Sequence, residues 1–365
     1  MKDAAEDSNS SPGSKSNVRP GVPRVSVVMT VGSDVRFLEA AVESILVQDF
    51  PDLELVIVDD ETPPRDATMA EFVHRDPRIR IVVNNKNLGT AAAANRGIEA
   101  ARADIIARLD ADDLAEPTRL RRLVSALDAD PALGLVGSWF TTITEDGELR
   151  EGIRLPEADL AIRWSFLFSN PFCHSATAFR RSCFEAAGRY RPELRTLEDY
   201  DLWSRMLATC RTGNIPEVLA RYRLNQSGLT SRRGEDWSAR LDALREPRWA
   251  ELGVCYDREI AQALAVFVAG YDLPRTPDRL GAYRILLMLL CKFLAAPRPG
   301  SDAQDDVILR QLVRQNVKRI ASDRSIPYRG FIDLCRLCWR LRPALAITLA
   351  CAVVQRASGR LSRLA

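Results

Sequence analysis

Asp110, Asp112 and Asp113 fall within four positions, directly after the apolar run Ile105, Ile106, Ala107, Arg108 and Leu109. Carboxylates this close repel one another unless a cation or a set of donors offsets them. The chemistry such a cluster offers is a divalent cation gripping a diphosphate. The competing reading is a solvated acidic turn that caps a helix starting near Pro117. Asp59 and Asp60 end another apolar run, at residues 53–58, and Glu198, Asp199 and Asp201 open a helical pattern much further on. Acids at a helix start are also favoured by the helix dipole alone, which is the plainer account of that third group.

The elements that must position these acids can be read from periodicity. From residue 25 to 136, short β-branched runs alternate with helical patterns, the signature of an α/β domain whose mainly parallel sheet is flanked by helices. Strands are expected over residues 25–29, 53–58, 79–83 and 105–109. After the first comes a helix in which Leu38, Val42, Ile45 and Leu46 recur at helical spacing. The third runs into Asn84 and Asn85 and a turn at Asn87, Leu88 and Gly89, before an Ala-rich helix ending near Arg102. Open α/β sheets bind ligands outside the carboxyl ends of their strands, where strand order switches. Thr30, Asp59, Asp60, Asp110 and Asp112 all fall at such ends. Neither GxGxxG nor GxxxxGK[ST] follows the first strand, so dinucleotide and P-loop readings lose their main support. Acids ending the second strand can accept hydrogen bonds from a base or ribose, and those ending the fourth can hold a divalent cation against phosphates.

Composition narrows the partners. At 365 residues and 46% hydrophobic content the chain can build one large or two ordinary domains. Its 51 basic and 49 acidic residues nearly cancel, which excludes the global positive field that drives nucleic-acid binding. Eight scattered cysteines show no paired CxxC units at zinc spacing, and a reduced, cytoplasmic setting is expected. Cys335 and Cys338 form one CxxC inside an apolar helical pattern and read as helix-face residues. Residues 1–23 form a polar tail expected to be disordered, without the apolar stretch of a signal peptide. No apolar run reaches the roughly 18 to 20 residues of a membrane span.

Several ordered motifs together resemble glycosyltransferase family 2. Val25-Ser26-Val27-Val28-Met29-Thr30 with Ser44-Ile45-Leu46-Val47-Gln48 is similar to the family's opening, and Val56-Ile57-Val58-Asp59-Asp60 to its second strand. Asn87-Leu88-Gly89, Asn95-Arg96-Gly97-Ile98 and Arg108-Leu109-Asp110-Ala111-Asp112-Asp113 follow. His174-Ser175-Ala176-Thr177 with Arg180, Gly188-Arg189-Tyr190 and Glu198-Asp199-Tyr200-Asp201-Leu202-Trp203 complete the pattern, which covers about residues 24–230. Two stretches depart from it. Thr30, Val31, Gly32 and Ser33 stand where the family commonly has Pro, Val or Thr, Tyr and Asn, and Tyr222-Arg223-Leu224-Asn225 carries Asn225 in place of a His.

The resemblance implies a GT-A fold over residues 24–230 and inverting transfer of a sugar from a nucleotide diphosphate donor to a hydroxyl of a glycan or lipid-linked acceptor. It assigns the cofactor, Mn2+ or Mg2+, to Asp112, with Asp110 in support and His174 either completing the metal shell, contacting the acceptor or serving as a hydrogen-bonded structural residue. Donor contacts are expected from Thr30, Val31, Ser33, Asp59, Asp60, Asn87, Asp110 and Arg223. Asp60 would take the N3–H of a uracil-type base, because cytosine N3 carries no proton, and Arg223 would carry positive charge for the diphosphate in place of the missing His. Asp59 is either a weaker base contact or a turn residue bonding the backbone of the loop after it. Asp199 would be the catalytic base, oriented by Glu198, while Asp113 is assigned to capping the next helix. A nucleotidyltransferase lacks its Gly-rich basic loop here. A non-catalytic nucleotide- or glycan-binding relative would need no base.

Beyond residue 231 the pattern turns wholly helical, over 237–258, 258–268, 278–294, 305–320 and 330–361. From Ser325 on, arginines interleave with Phe331, Leu334, Leu337, Trp339 and Leu341. That mixture suits either a peripheral helix on an anionic membrane face or a helical cap or homo-oligomer surface packed on the catalytic domain.

Overall fold

The structure is a computed structural model that describes residues 21–61, 66–225, 235–274, 276, 278–296 and 303–357. Residues 1–20 of the expected tail, the expected domain boundary near 230 and the last residues of the final expected helix lie outside the described residues.

Strands β1 (Val25–Val31), β2 (Leu53–Asp59), β3 (Ile79–Val83) and β4 (Ile105–Arg108) pair in parallel in the order β3-β2-β1-β4. Each lies within two residues of its expected bounds. The sheet then continues in mixed sense through β8 (Ala178–Arg180), β6 (Leu133–Ile143), β9 (Arg211–Arg223) and β5 (Leu114–Ala115), with β7 (Leu149–Ile153) on the far edge of β6. β8 runs antiparallel to β4 and β6, whereas β6 and β9 run parallel. Alternation along the strands sorts the two faces. Val25, Val27 and Met29 meet α1 (Leu38–Leu46), α2 (Asp66–Arg75) and α4 (Arg119–Ala129). Val28 and Val56 meet α3 (Thr90–Ala100), α6 (Arg181–Ala186) and α7 (Glu198–Met206). Gly97 lets α3 lie close on the sheet, since a Cβ there would come within 2.6 Å of Val28 and 2.7 Å of Val58.

Strand order reverses between β1 and β4, because the chain first steps outward to β2 and β3 and returns to the other side of β1. The register brings Val31 level with Asp59 and Val28 level with Arg108, so Thr30, Asp60 and Asp110 emerge together at this switch point. β5 pairs Leu114 with Arg221 and Ala115 with Ala220, which carries Arg223 to the flank of the Asp110–Asp113 turn.

The C-terminal helices are α8 (Glu235–Glu251), α9 (Arg258–Val268), α10 (Arg279–Ala295), α11 (Ala303–Ser322), α12 (Tyr328–Leu341) and α13 (Pro343–Ala357). The single helix expected over 330–361 is two helices. Pro343 has no N–H to continue α12 and forces Arg342 into an extended conformation, so the chain turns and restarts. The helices share one core with Trp164 of α5 (Asp159–Ser165) and with Leu167 and Phe168. Trp249 Nε1 donates to Leu167 O at 3.0 Å, and Arg248 donates to Ser204 Oγ at 2.7 Å. Among the described residues no helix is long and apolar enough to cross a membrane.

Candidate active site

The carboxylate end of β2 organises the loop opposite it. Asp60 is buried, and its Oδ1 accepts from Asn84 Nδ2 at 2.7 Å and Leu88 N at 2.8 Å, while Oδ2 accepts from Gly89 N at 2.8 Å. Asn87 Nδ2 donates to Asp60 O at 2.9 Å. Gly89 takes φ +85°, and any Cβ there would collide with Arg195. Three of the roughly four acceptor positions of the Asp60 carboxylate are therefore spent on shaping residues 84–89, a use the sequence did not announce. Asp59 is fully buried, and its Oδ1 accepts from Glu61 N at 3.3 Å, the local turn bond that was one of its two expected roles. Val31 is buried too, so among the three expected contacts from this segment only Thr30 and Ser33 have side chains with access to the cleft.

At the end of β4 the acids part company. Asp110 Oδ1 accepts from Arg108 Nη2 at 3.0 Å, and its backbone N–H donates to Ser175 Oγ at 3.0 Å. Burial works to raise its carboxyl, but His174, Arg108 and Ser175 outweigh burial and hold it well below the ordinary carboxylate range. Asp112 is the more open acid. Asn225 Nδ2 donates to its Oδ2 at 3.0 Å, yet burial and the neighbouring Asp110 still push its carboxyl up. Asp113 does not cap α4, whose N-cap is Thr118. It is buried and accepts Arg223 N–H at 2.7 Å, so it ties the turn to β9 instead of opening the helix.

Arg223 departs from its expected role. Its Nε donates to Asp112 O at 2.8 Å, and its Nη1 donates to Thr144 O and Glu145 O at 3.0 and 2.7 Å. The guanidinium also lies 4.3 Å from the Phe37 ring centre and is buried. It ties the backbone of Asp112 to that of residues 144–145, which commits Nε and Nη1 to carbonyls in place of a diphosphate. Asn225 bridges Asp34 and Asp112, linking the β1–α1 loop to the same acid.

Sequence reasoning assigned no role to Arg108 or Tyr190. Arg108 lies fully buried in β4, and a charge inside an apolar strand was the available signal. Its Nε donates to His174 Nε2 at 3.2 Å, and Tyr190 Oη stands 2.8 Å from the same nitrogen. Because Arg108 can only donate, Nε2 is the acceptor, and the ring proton belongs on Nδ1, which faces Asp110 Oδ2 at 3.6 Å. Nε2 of His174 is thus taken up by Arg108 and Tyr190, and Nδ1 faces Asp110. Arg119, also fully buried, donates to Arg108 O at 2.5 Å and retains its charge although burial lowers its pKa to about 10. Two internal cations back three aspartates.

Glu198 and Asp199 start α7 from Leu197, a non-glycine residue at φ +62°. Such a left-handed turn costs on the order of 1–3 kcal/mol, and here it aims the first turn of the helix at the His174 segment. Asn170 Nδ2 donates to Asp199 Oδ2 at 2.7 Å, and Tyr200 N–H to Oδ1 at 2.7 Å. The segment 170–174 therefore connects Asp199 to His174 and through it to Asp110. Asp201, by contrast, is locked between Arg191 and Arg205.

Glu198 is buried, and desolvation first, then repulsion from Asp199, raises its carboxyl from 4.5 to about 7. The folded state favours its protonated form, so this group's stabilising contribution is complete below the unfolded pKa and is lost as pH rises through 7, by ~3 kcal/mol. Glu198→Gln, which mimics the neutral acid, is expected to melt with wild type at pH 4 and above it at pH 8. A variant that melted lower at pH 8 would show that the ionised carboxylate is the form the fold prefers.

Among the described residues no three His, Cys, Asp or Glu side chains stand together as a ready cage for a metal ion. Sites that hold a cation through one or two carboxylates and complete its shell with substrate phosphate need no such cage. The uphill carboxyl of Asp112 beside the ionised Asp110 is a donor pair of that kind.

The half-parallel sheet delivers carboxylates to its switch point, and a second acidic pair opens α7. The sequence model of Glycosyl transferase family 2 matches residues 26–188. The chain is 32% identical over 210 residues to a putative glycosyltransferase, EpsE, of Bacillus subtilis, covering 55% of this chain and 73% of that one. It is 32% identical over 212 residues to AmsE, an amylovoran biosynthesis glycosyltransferase of Erwinia amylovora, covering 57% and 75%. The chain belongs to glycosyltransferase family 2. Its fold is similar to that of residues 1–349 of S. aureus TarS, crystallised with UDP-GlcNAc, at TM-score 0.50 and 13% identity over 92% of each chain.

Proposed function

We propose that the protein is an inverting, metal-dependent transferase that moves a sugar from a uridine diphosphate donor to a hydroxyl of a glycan or lipid-linked acceptor. The observation that carries this reading is the approach of Asp110 and Asp199 to the His174–Tyr190 pair, with Asp112 neighbouring Asp110. Asp110 and Asp112 would hold Mn2+ or Mg2+, which supplies positive charge to the leaving diphosphate. Asp199 would take the acceptor's hydroxyl proton as that oxygen bonds to the anomeric carbon and the bond to the diphosphate breaks on the opposite face, inverting the configuration. The last acceptor position of Asp60, pre-oriented by its three loop bonds, suits a ring N–H such as uracil N3–H. Thr30, Ser33 and Asn87 would supply further donor contacts. Glu198 would orient Asp199. A glycan acceptor accords with the amylovoran biosynthesis role named for AmsE.

The test is thermal shift with a panel of nucleotide sugars, with and without Mn2+, followed by assay of nucleoside diphosphate release. One donor at a hundred times its Kd should add ~2.7 kcal/mol of stability, in the presence of the metal. If no donor gives metal-dependent stabilisation, the proposal fails.

A further inference from the structure

The α12–α13 pair carries the most exposed apolar surface of the described residues. Tyr328, Ile332 and Trp339 follow one another along a face of α12, and Ile347, Ala350 and Val354 along a face of α13. Between them runs a shallow groove of about 500 Å3. Trp339 is 61% exposed and Val354 66%, although the opposite faces of the same helices bury Phe331, Leu334, Leu345 and Leu349 in the core. The apolar arc of α12 is wider than the core covers, and α13 is apolar on two sides, which packing against the rest of the chain does not explain.

Arg336 lines the groove, and arginines outnumber acids on α12 and at its end. Arg329, Arg336, Arg340 and Arg342 are exposed there, while the acid on α12, Asp333, is half-buried and pairs with Arg336 at 3.5 Å. Arg360 and Arg363 follow in the sequence. A second copy docking face to face would set these arginines against their equivalents, a like-charge contact that two-fold interfaces avoid. The N-terminal residues 1–20 contain no apolar run to fill the groove.

We propose that the α12–α13 groove is a docking surface for an anionic lipid bilayer. The apolar stripe enters the boundary between headgroups and acyl chains, Tyr328 and Trp339 sit at headgroup level, and the arginines meet lipid phosphates. This surface is independent of the transfer chemistry, so lipid binding and nucleoside diphosphate release succeed or fail separately.

The test is co-sedimentation of the full-length protein with vesicles rich in phosphatidylglycerol and with vesicles of phosphatidylcholine alone, alongside sedimentation velocity without lipid. Wild type should partition to the anionic vesicles and release at high salt. Arg336→Glu with Arg340→Glu should weaken partitioning by at least about tenfold. Ile332→Asp with Ile347→Asp should abolish it, with the melting midpoint unchanged because all four side chains are exposed. Equal binding to both vesicle types, no binding to either, or a concentration-dependent dimer that Ile332→Asp dissolves would each overturn the proposal, the last by assigning the groove to a second copy. Should the aspartate variants melt early, the arginine pair, far from any core contact, still decides.

Discussion

Asp199→Asn is expected to lower the rate of transfer by about 10²–10⁴-fold while donor binding stays within a few-fold of wild type. The substitution is nearly isosteric. Tyr200 N–H still finds a carbonyl oxygen, and the bond given up is that from Asn170, whose Oδ1 stays held by Phe172 N–H. What the amide cannot do is accept a proton from an incoming hydroxyl. The donor contacts proposed above, on the strand ends of β1, β2 and β4, lie on other elements. Single-turnover rates and donor titration by thermal shift, measured on the same preparation, separate the two effects. Lost donor affinity with an intact rate would mark Asp199 as a structural acid.

The second large effect concerns Asp112→Asn, and it has opposite signs in two measurements. Burial and the nearby Asp110 make ionised Asp112 costly in the free protein, so removing its charge should leave the melting midpoint unchanged or higher. The metal-dependent stabilisation by donor should disappear, a loss larger than the ~10–100-fold that removing an outer partner of a metal ligand costs. Asn225 can still bond to the amide oxygen, which keeps the turn in place. A variant that melts lower without metal and keeps its metal-dependent shift would reduce Asp112 to a stabilising turn residue.

The parallel half of the sheet was legible because each of its strands is a continuous apolar run bounded by polar turns, as buried parallel strands must be. β6 and β9 carry polar and bulky residues at their exposed ends and pair with partners far away in sequence, so periodicity alone could not order them. Within the site, residue types and places were readable but partners were not. Asp60 and Arg223 were recognised as polar groups at the right end of the sheet, yet both are buried and give most of their hydrogen bonds to neighbouring protein groups. Asp113 was read from its distance to the next helix, whereas the β5–β9 pairing determines its partner. Pro343 was visible throughout, and the helix expected to run past it overrode a reliable breaker.

The shared core of Trp164, Leu167 and Phe168 with α8–α13 has a bearing on engineering. The stretch that follows those side chains holds Asn170 and His174, so the C-terminal helices form the underside of the segment that connects Asp199 to Asp110. A chimera joined near residue 230 would set a foreign helical bundle beneath the native segment and leave the Leu167 carbonyl without the Trp249 indole that donates to it. Recombination among relatives should therefore transplant residues 159–174 together with the helices, as one inherited block.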